Sequence, residues 1–158
     1  MKTLIVYATK QGTTKMVAEK LKAKLSGEVE LVDLNISRPH NLMEYDNIIL
    51  GGSIYIGKIQ KQMKSFVEDN LSLLMNKKIC VYICGAEKNE TLEKELTEAF
   101  PEALLNKTLF KGAVGNAIDF SKLNIFNRMI AKKVMGVTQS YTNIDENKID
   151  EIAITMIK

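Results

Sequence analysis

The chain has 158 residues, of which 46% are hydrophobic and 26% charged, and a net charge of +3. That is the size of one ordinary domain with room for a real core, and no apolar run approaches the 18 residues that a membrane-crossing helix needs. The mild charge, with no Lys/Arg stripe interleaved with aromatics, argues against a nucleic-acid partner, and a lone His40 beside two cysteines argues against a zinc or iron site.

Met1 and Lys2 lead straight into the apolar run 4–8, without the pattern of a secretory leader, so the expected compartment is the cytoplasm. The run reads as a buried strand. It opens onto Thr9, Lys10, Gln11, Gly12, Thr13 and Thr14, followed by a helical pattern from about residue 15. One glycine for a sharp turn, short hydroxyl side chains and a helix N-terminus make a phosphate cradle. A plain strand-to-helix turn with a Thr N-cap fits the same spacing.

Val17, Leu21 and Leu25 recur at helical spacing and stop near residues 26–27. Residues 28–33 alternate as an edge strand does. After Pro39, residues 47–50 form a short buried strand stopped by Gly51 and Gly52, whose exit is functional ground. Met63, Phe66, Val67, Leu71 and Leu74 mark a helix over 60–74, and residues 79–84 a fourth strand. Cys80 and Cys84 share one face of that strand, about 13 Å apart along it, too far for a disulfide, so they read as core thiols. Leu92, Leu96, Ala99 and Phe100 give a helix stopped by Pro101. Residues 109–118 supply a fifth strand, irregular because it contains Gly112 and Gly115.

Two helical patterns follow where the simplest five-unit arrangement needs one. Leu123, Phe126, Met129, Ile130 and Val134 form the first, ended by Gly136. Lys122, Arg128, Lys132 and Lys133 accompany it, with no acid between Asp119 and Asp145. Core packing is the favoured reading of this basic, apolar insertion at about 119–137, over a membrane-surface or apolar-substrate role. Ile149, Ile152, Ala153 and Met156 form the second pattern, which a capping box of Asn143 with Glu146 can start.

Strands alternating with helices at this spacing predict an α/β fold. A single domain over residues 1–158 has a doubly wound, five-stranded parallel sheet of order 2-1-3-4-5, with the helical insertion after strand five. Ligands of such sheets sit where strands one and three end, so the loops after Ala8, Gly52 and Cys84 converge there. The first loop lacks the glycines of a dinucleotide site and the second glycine and lysine of a P-loop. The strand exits also lack the acids of a phosphoacceptor domain. A mononucleotide with one terminal phosphate remains.

Residues 9–14, together with Gly51, Gly52, Ser53, Ile54, Tyr55, Ile56 and Gly57, resemble the flavodoxin family. The resemblance implies bound FMN, its phosphate held by the hydroxyls and N–H groups of Thr9, Lys10, Gln11, Gly12, Thr13 and Thr14. Ser53, Ile54, Tyr55, Ile56 and Gly57 would flank the ring, with Tyr55 offering a stacking face. Backbone around Cys84, Gly85, Ala86 and Glu87 would meet its pyrimidine edge. No side chain is assigned as a catalytic acid or base, and no metal is expected. The third loop has no aromatic, which leaves one ring face open to a substrate or to an insertion residue such as Phe120 or Phe126. Flavodoxins are acidic, whereas this chain has a pI near 8.7 and Lys10 in the phosphate loop, so a less negative reduction potential is expected.

Within that family, Gly51, Gly52, Ser53, Ile54 and Gly57, with Phe126, Asn127, Arg128, Met129 and Ile130 ahead of Tyr141 and Thr142, are similar to the menaquinone-dependent protoporphyrinogen dehydrogenase branch. The sequence departs from that branch at Ile56, where an aromatic is usual, in the segment after strand four, and in having fewer arginines near Ile118. The resemblance implies electron transfer through FMN to a redox partner protein or a quinone. Oxidation of a porphyrinogen-like substrate is the alternative, and a binding domain without flavin the third reading. Peripheral membrane contact through the basic insertion is a further expectation.

Overall fold

The computed structural model describes residues 1–157, excepting the side chains of Asn89, Val134 and Met135. In chain order the elements are β1 (Lys2–Ala8), α1 (Thr13–Lys24), β2 (Glu28–Asp33), β3 (Asn47–Tyr55), β4 (Lys58–Ile59), α2 (Lys61–Leu74), β5 (Lys78–Cys84), α3 (Asn89–Ala99), α4 (Glu102–Lys107), β6 (Phe110–Ala113), β7 (Gly115–Ile118), α5 (Ile125–Met135), β8 (Tyr141–Ile144) and α6 (Glu146–Ile157). Five strands pair in parallel in the order β2-β1-β3-β5-β6. Counted without the added hairpins, that is the expected 2-1-3-4-5. β4 pairs antiparallel with β3, and β7 with β8.

Period-two alternation divides the core between the two faces of the sheet. Leu4, Val6, Ile48, Leu50, Val81 and Ile83 face α2, α3 and α4, with Phe66, Leu92 and Leu104 among their neighbours. Ile5, Tyr7, Ile49, Cys80, Tyr82 and Cys84 face α1 and α6. Cys80 and Cys84 are therefore on one face, both free and buried, and burial pushes each thiol up to about 12. Among the described residues no helix is long and apolar enough to cross a membrane.

Several boundaries differ from the sequence reading. β3 does not stop at Gly51 and Gly52 but runs on to Tyr55, because the missing side chains make room for neighbours instead of ending the strand. A Cβ on Gly51 would lie 2.2 Å from the Tyr82 ring, and one on Gly52 would lie 2.4 Å from the Ile59 δ-methyl. The fifth apolar stretch is two strands. Gly115, at φ 110, turns the chain out of the parallel sheet so that β7 pairs with β8.

Helix ends shift for similar reasons. α1 begins at Thr13, capped by Gly12 in the left-handed region (φ 92) and not by a threonine. Pro101 ends α3 but also precedes α4, since a proline at a helix start sacrifices no hydrogen bond. α6 starts at Glu146. The Asp145 carboxylate accepts from the backbone N–H groups of Asn147 and Lys148, while Asn143 belongs to β8. The 119–137 insertion is the largest departure. Ala131 and Leu123 are buried against Ile118, but Phe126 and Met129 of the expected core stripe are exposed, as is Ile125 beside them. The expectation for Val134 lies outside the described side chains.

Candidate functional site

From the ends of β1 and β3 the chain departs in opposite directions, towards β2 on one side and β5 on the other, and this leaves a crevice at their carboxyl ends. The loop after β1 is braced on both sides. Thr9 Oγ1 accepts from Gly12 N at 2.9 Å, and Asn35 Nδ2 donates to Thr9 O at 2.9 Å. No side chain caps α1. Its first-turn amides therefore point into the crevice with the positive end of the helix dipole behind them.

The threonine hydroxyls do other work than expected. Thr13 Oγ1 donates to the Ala117 carbonyl at 2.6 Å, tying the start of α1 to β7. Thr14 is fully buried, with its hydroxyl beside the Cys84 thiol. The backbone N–H groups of the first turn remain as donors at this loop. The Tyr82 hydroxyl holds the same turn from below, donating to Thr14 O at 2.9 Å.

The loop after β3 is a two-residue hairpin turn, with Tyr55 opposite Lys58. Both turn residues have positive φ, Ile56 at 50° and Gly57 at 69°, which suits the right-handed twist of a hairpin. For a β-branched residue this backbone is a strained exception, and such strain gathers at functional sites. Ile56 is 71% exposed above the crevice. Beside it, Lys10 Nζ lies 4.5 Å from the centre of the Tyr55 ring.

Behind this turn stands Glu95 of α3, buried, with Oε2 unpaired among the described residues and Oε1 close to Gly57. Burial raises the pKa of this carboxyl, and Glu87 and Glu98 raise it further. A carboxyl whose folded pKa is raised leaves the native state holding more protons than the unfolded chain. Its penalty is absent below the ordinary carboxylate range and grows as pH rises through it. Glu95→Gln is accordingly expected to raise the urea midpoint at neutral pH. The gain should shrink and vanish on acidification; a gain independent of pH would show that ionisation is not the cause.

A cleft of about 240 Å³ brings together Lys10, Gln11 and Thr13 from the first loop, Ser53, Ile54, Tyr55, Ile56 and Gly57 from the second, and Cys84, Ala86 and Glu87 from the third. A second cleft of about 530 Å³ adjoins it across Gln11 and Thr13. Gly12 lines this one, with Asp119, Lys122, Ser140 and Tyr141 opposite. Thr9, Thr14 and Gly85 line neither cleft. Gly85 is turned inward, where a Cβ would meet Leu92 at 2.5 Å, and its N–H donates to Gly115 O at 3.2 Å.

Two residues lining the smaller cleft escape the sequence reading. Asn116 of β7 also donates to the Tyr141 hydroxyl, and Ile130 of α5 faces the three loops. Ile130 carried a signal, its place in the insertion's apolar stripe, but that stripe is read more readily as core. Phe120 and Phe126 do not take the position expected of them. Phe120 lies under Arg128 and Lys132, at 5.7 and 5.9 Å, and Phe126 is exposed. The arrangement offers backbone donors for one anionic group at one end. At the other is a slot walled by Ile54, Tyr55, Ile56 and Ile130.

A family model described as a flavodoxin domain matches residues 4–145. A curated relative, protoporphyrinogen IX dehydrogenase (quinone) from Leishmania major, is 23% identical over 152 residues, covering 90% of this chain and 65% of that protein. The chain thus spans just under two thirds of that relative's length. Among solved structures, a flavodoxin from Streptococcus pneumoniae TIGR4 matches with a TM-score of 0.63 at 18% identity, over 99% of this chain and 98% of the other. A flavoprotein in complex with FMN from Lactobacillus acidophilus matches with a TM-score of 0.51 at 20% identity, over 77% of this chain and 95% of the other. These two structures share the fold.

Proposed function

Since this chain belongs to the flavodoxin domain family, we propose that its cleft binds FMN and that the bound flavin passes one or two electrons between a donor and an acceptor. The observation carrying this reading is the meeting of an uncapped helix N-terminus with an apolar slot in one crevice, lined from three strand exits. The residues present fit the group. First-turn amides of α1 take the phosphate, with Gly12 letting the backbone turn towards it. Tyr55, Ile56 and Ile130 bound the ring, and the backbone at Ala86 and Glu87 meets its edge. Lys10 lies over Tyr55, so a ring stacked on that face displaces the amine, which its flexible stem permits. FMN supplies the redox chemistry when bound, while the chain supplies anchorage, shielding and charge. Lys10 favours the reduced, anionic flavin and so a less negative potential than in an acidic flavodoxin.

A second reading is oxidation of a porphyrinogen-like substrate with a quinone acceptor. What favours it is α5, a basic and apolar element that reaches the cleft through Ile130, together with the Leishmania relative. A carrier serving a redox partner protein needs no such element.

Calorimetric titration of the purified protein with FMN and with riboflavin tests the primary reading. Two charge-assisted amide bonds to phosphate are together worth about 3 kcal/mol or more, so riboflavin should bind at least ~100-fold more weakly than FMN. A colourless protein that fails to take up FMN removes the redox readings, and equal affinities remove the phosphate assignment.

A further inference from the structure

Helix α5 has two working faces. Ala131 packs on Leu123 and Ile118, and Ile130 enters the cleft. The opposite face carries Ile125, 88% exposed, and Met129, 45% exposed. On the helical wheel Arg128 and Lys132 flank that pair on one side and Lys133 and Phe126 on the other. Ile125, Met129, Arg128, Lys132 and Lys133 line one shallow groove of about 380 Å³.

The charge is as one-sided as the apolar surface. Residues 120–144 contain Lys122, Arg128, Lys132 and Lys133 and no acid, a sum of +4 that exceeds the +3 of the entire chain. Lys122 is paired with Asp119 at 3.3 Å. Among the described residues, no ion pair involves Arg128, Lys132 or Lys133.

From this juxtaposition we infer that α5 docks this protein onto an anionic phospholipid surface, with Ile125 and Met129 inserted and Arg128, Lys132 and Lys133 on the headgroups. A short helix with an apolar centre and basic flanks lies in the membrane interface, its long cations reaching up to the phosphates. An acidic protein partner fits less well, since a stable interface buries about 800 Å² on each partner. Three apolar side chains on one three-turn helix present far less than that. A bilayer imposes no such minimum and adds a charge attraction for each lysine or arginine near it.

Docking does not depend on the flavin. Its consequence does rest on the FMN reading: with Ile130 and the docked face on opposite sides of a helix about 10 Å across, an acceptor dissolved in the bilayer comes within one helix diameter of the cleft.

The test is flotation of the full chain with phosphatidylcholine vesicles with and without phosphatidylglycerol. Binding should be at least ~10-fold stronger with the anionic lipid and should weaken as salt rises. Ile125→Ser with Met129→Ser, and separately Lys132→Glu with Lys133→Glu, should each reduce it at least ~10-fold while the melting temperature and FMN affinity stay unchanged. No binding to either vesicle overturns the inference. So does binding that survives Ile125→Ser with Met129→Ser, which would make it charge alone. A self-associated species in sedimentation velocity that the same substitutions abolish overturns it too, by assigning the face to a second copy of the chain. FMN affinity is measured apart from vesicle binding, so failure of one reading leaves the other standing.

Discussion

Gly51→Ala is expected to lower stability by about 3 kcal/mol and to weaken FMN binding with it. Gly51 lies in the central strand between Tyr7 and Tyr82, and the Tyr82 ring crosses the space a side chain would fill. A Cβ there would lie 2.2 Å from Tyr82 Cζ and 2.3 Å from its hydroxyl oxygen. Tyr82 is fully buried and has no free rotamer to retreat to. Displacing it breaks the 2.9 Å bond to Thr14 O, which braces the start of α1. Losing that bond alone, in Tyr82→Phe, should cost about 1–2 kcal/mol.

The neighbouring glycine is a control. A Cβ on Gly52 meets the Cδ1 and Cγ1 atoms of Ile59, a flexible side chain on a two-residue strand, so Gly52→Ala should cost under about 1.5 kcal/mol. Urea midpoints of the two variants check the contrast. The double variant Gly51→Ala with Tyr82→Leu should be less damaged than the sum of its parts, because one clash is shared. Additive losses would show that Tyr82 is not the obstacle.

Gly115→Ala should be as costly, about 3 kcal/mol or more, but confined to one part of the molecule. At φ 110 a Cβ would lie 2.1 Å from the Asn143 carbonyl oxygen and 3.0 Å from Ile144 Cα. Those are backbone atoms of the paired strand, which no rotamer change can clear. The ladder between β7 and β8 must open, and Gly85 N loses its acceptor on Gly115 O. Asn116 and Ile130 would move with it, so FMN affinity should fall at least ~10-fold while β1, β3 and β5 stay folded. Hydrogen exchange reads this directly as lost protection in β7, β8 and α5 over a protected parallel sheet. Exchange that speeds equally in β1 and β5 would mean the hairpin is not a separate unit.

The parallel sheet was legible because each strand buried on both faces is an unbroken apolar run, as in residues 4–8 and 79–84, and each covering helix has its own 3.6-residue stripe. Strand order and the meeting of three loops then followed from connection rules, without any contact being known. Ser53, Ile54, Tyr55, Ile56 and Gly57 line the cleft together for the same reason, since they simply follow a strand that must end there. That the Thr14 side chain is buried beside Cys84 was not legible, because nothing local to a threonine beside a turn says which way it points.

Sequence by itself thus determined the alternation of elements, the crevice at the ends of β1 and β3, and the glycine-turned start of α1, all of which depend on patterns within one or two turns of chain. Only the tertiary structure decided what Gly51 and Gly115 are for, which side of α5 faces the cleft, and that Ile125 and Met129 face outward. Each of those rests on a partner beyond the local turn of chain or on the absence of one. A glycine reads the same whether it ends a strand or leaves space for a tyrosine ring, and an apolar stripe reads the same whether it is covered by protein or left for another surface. Burial is a property of the neighbours, and local periodicity does not encode them.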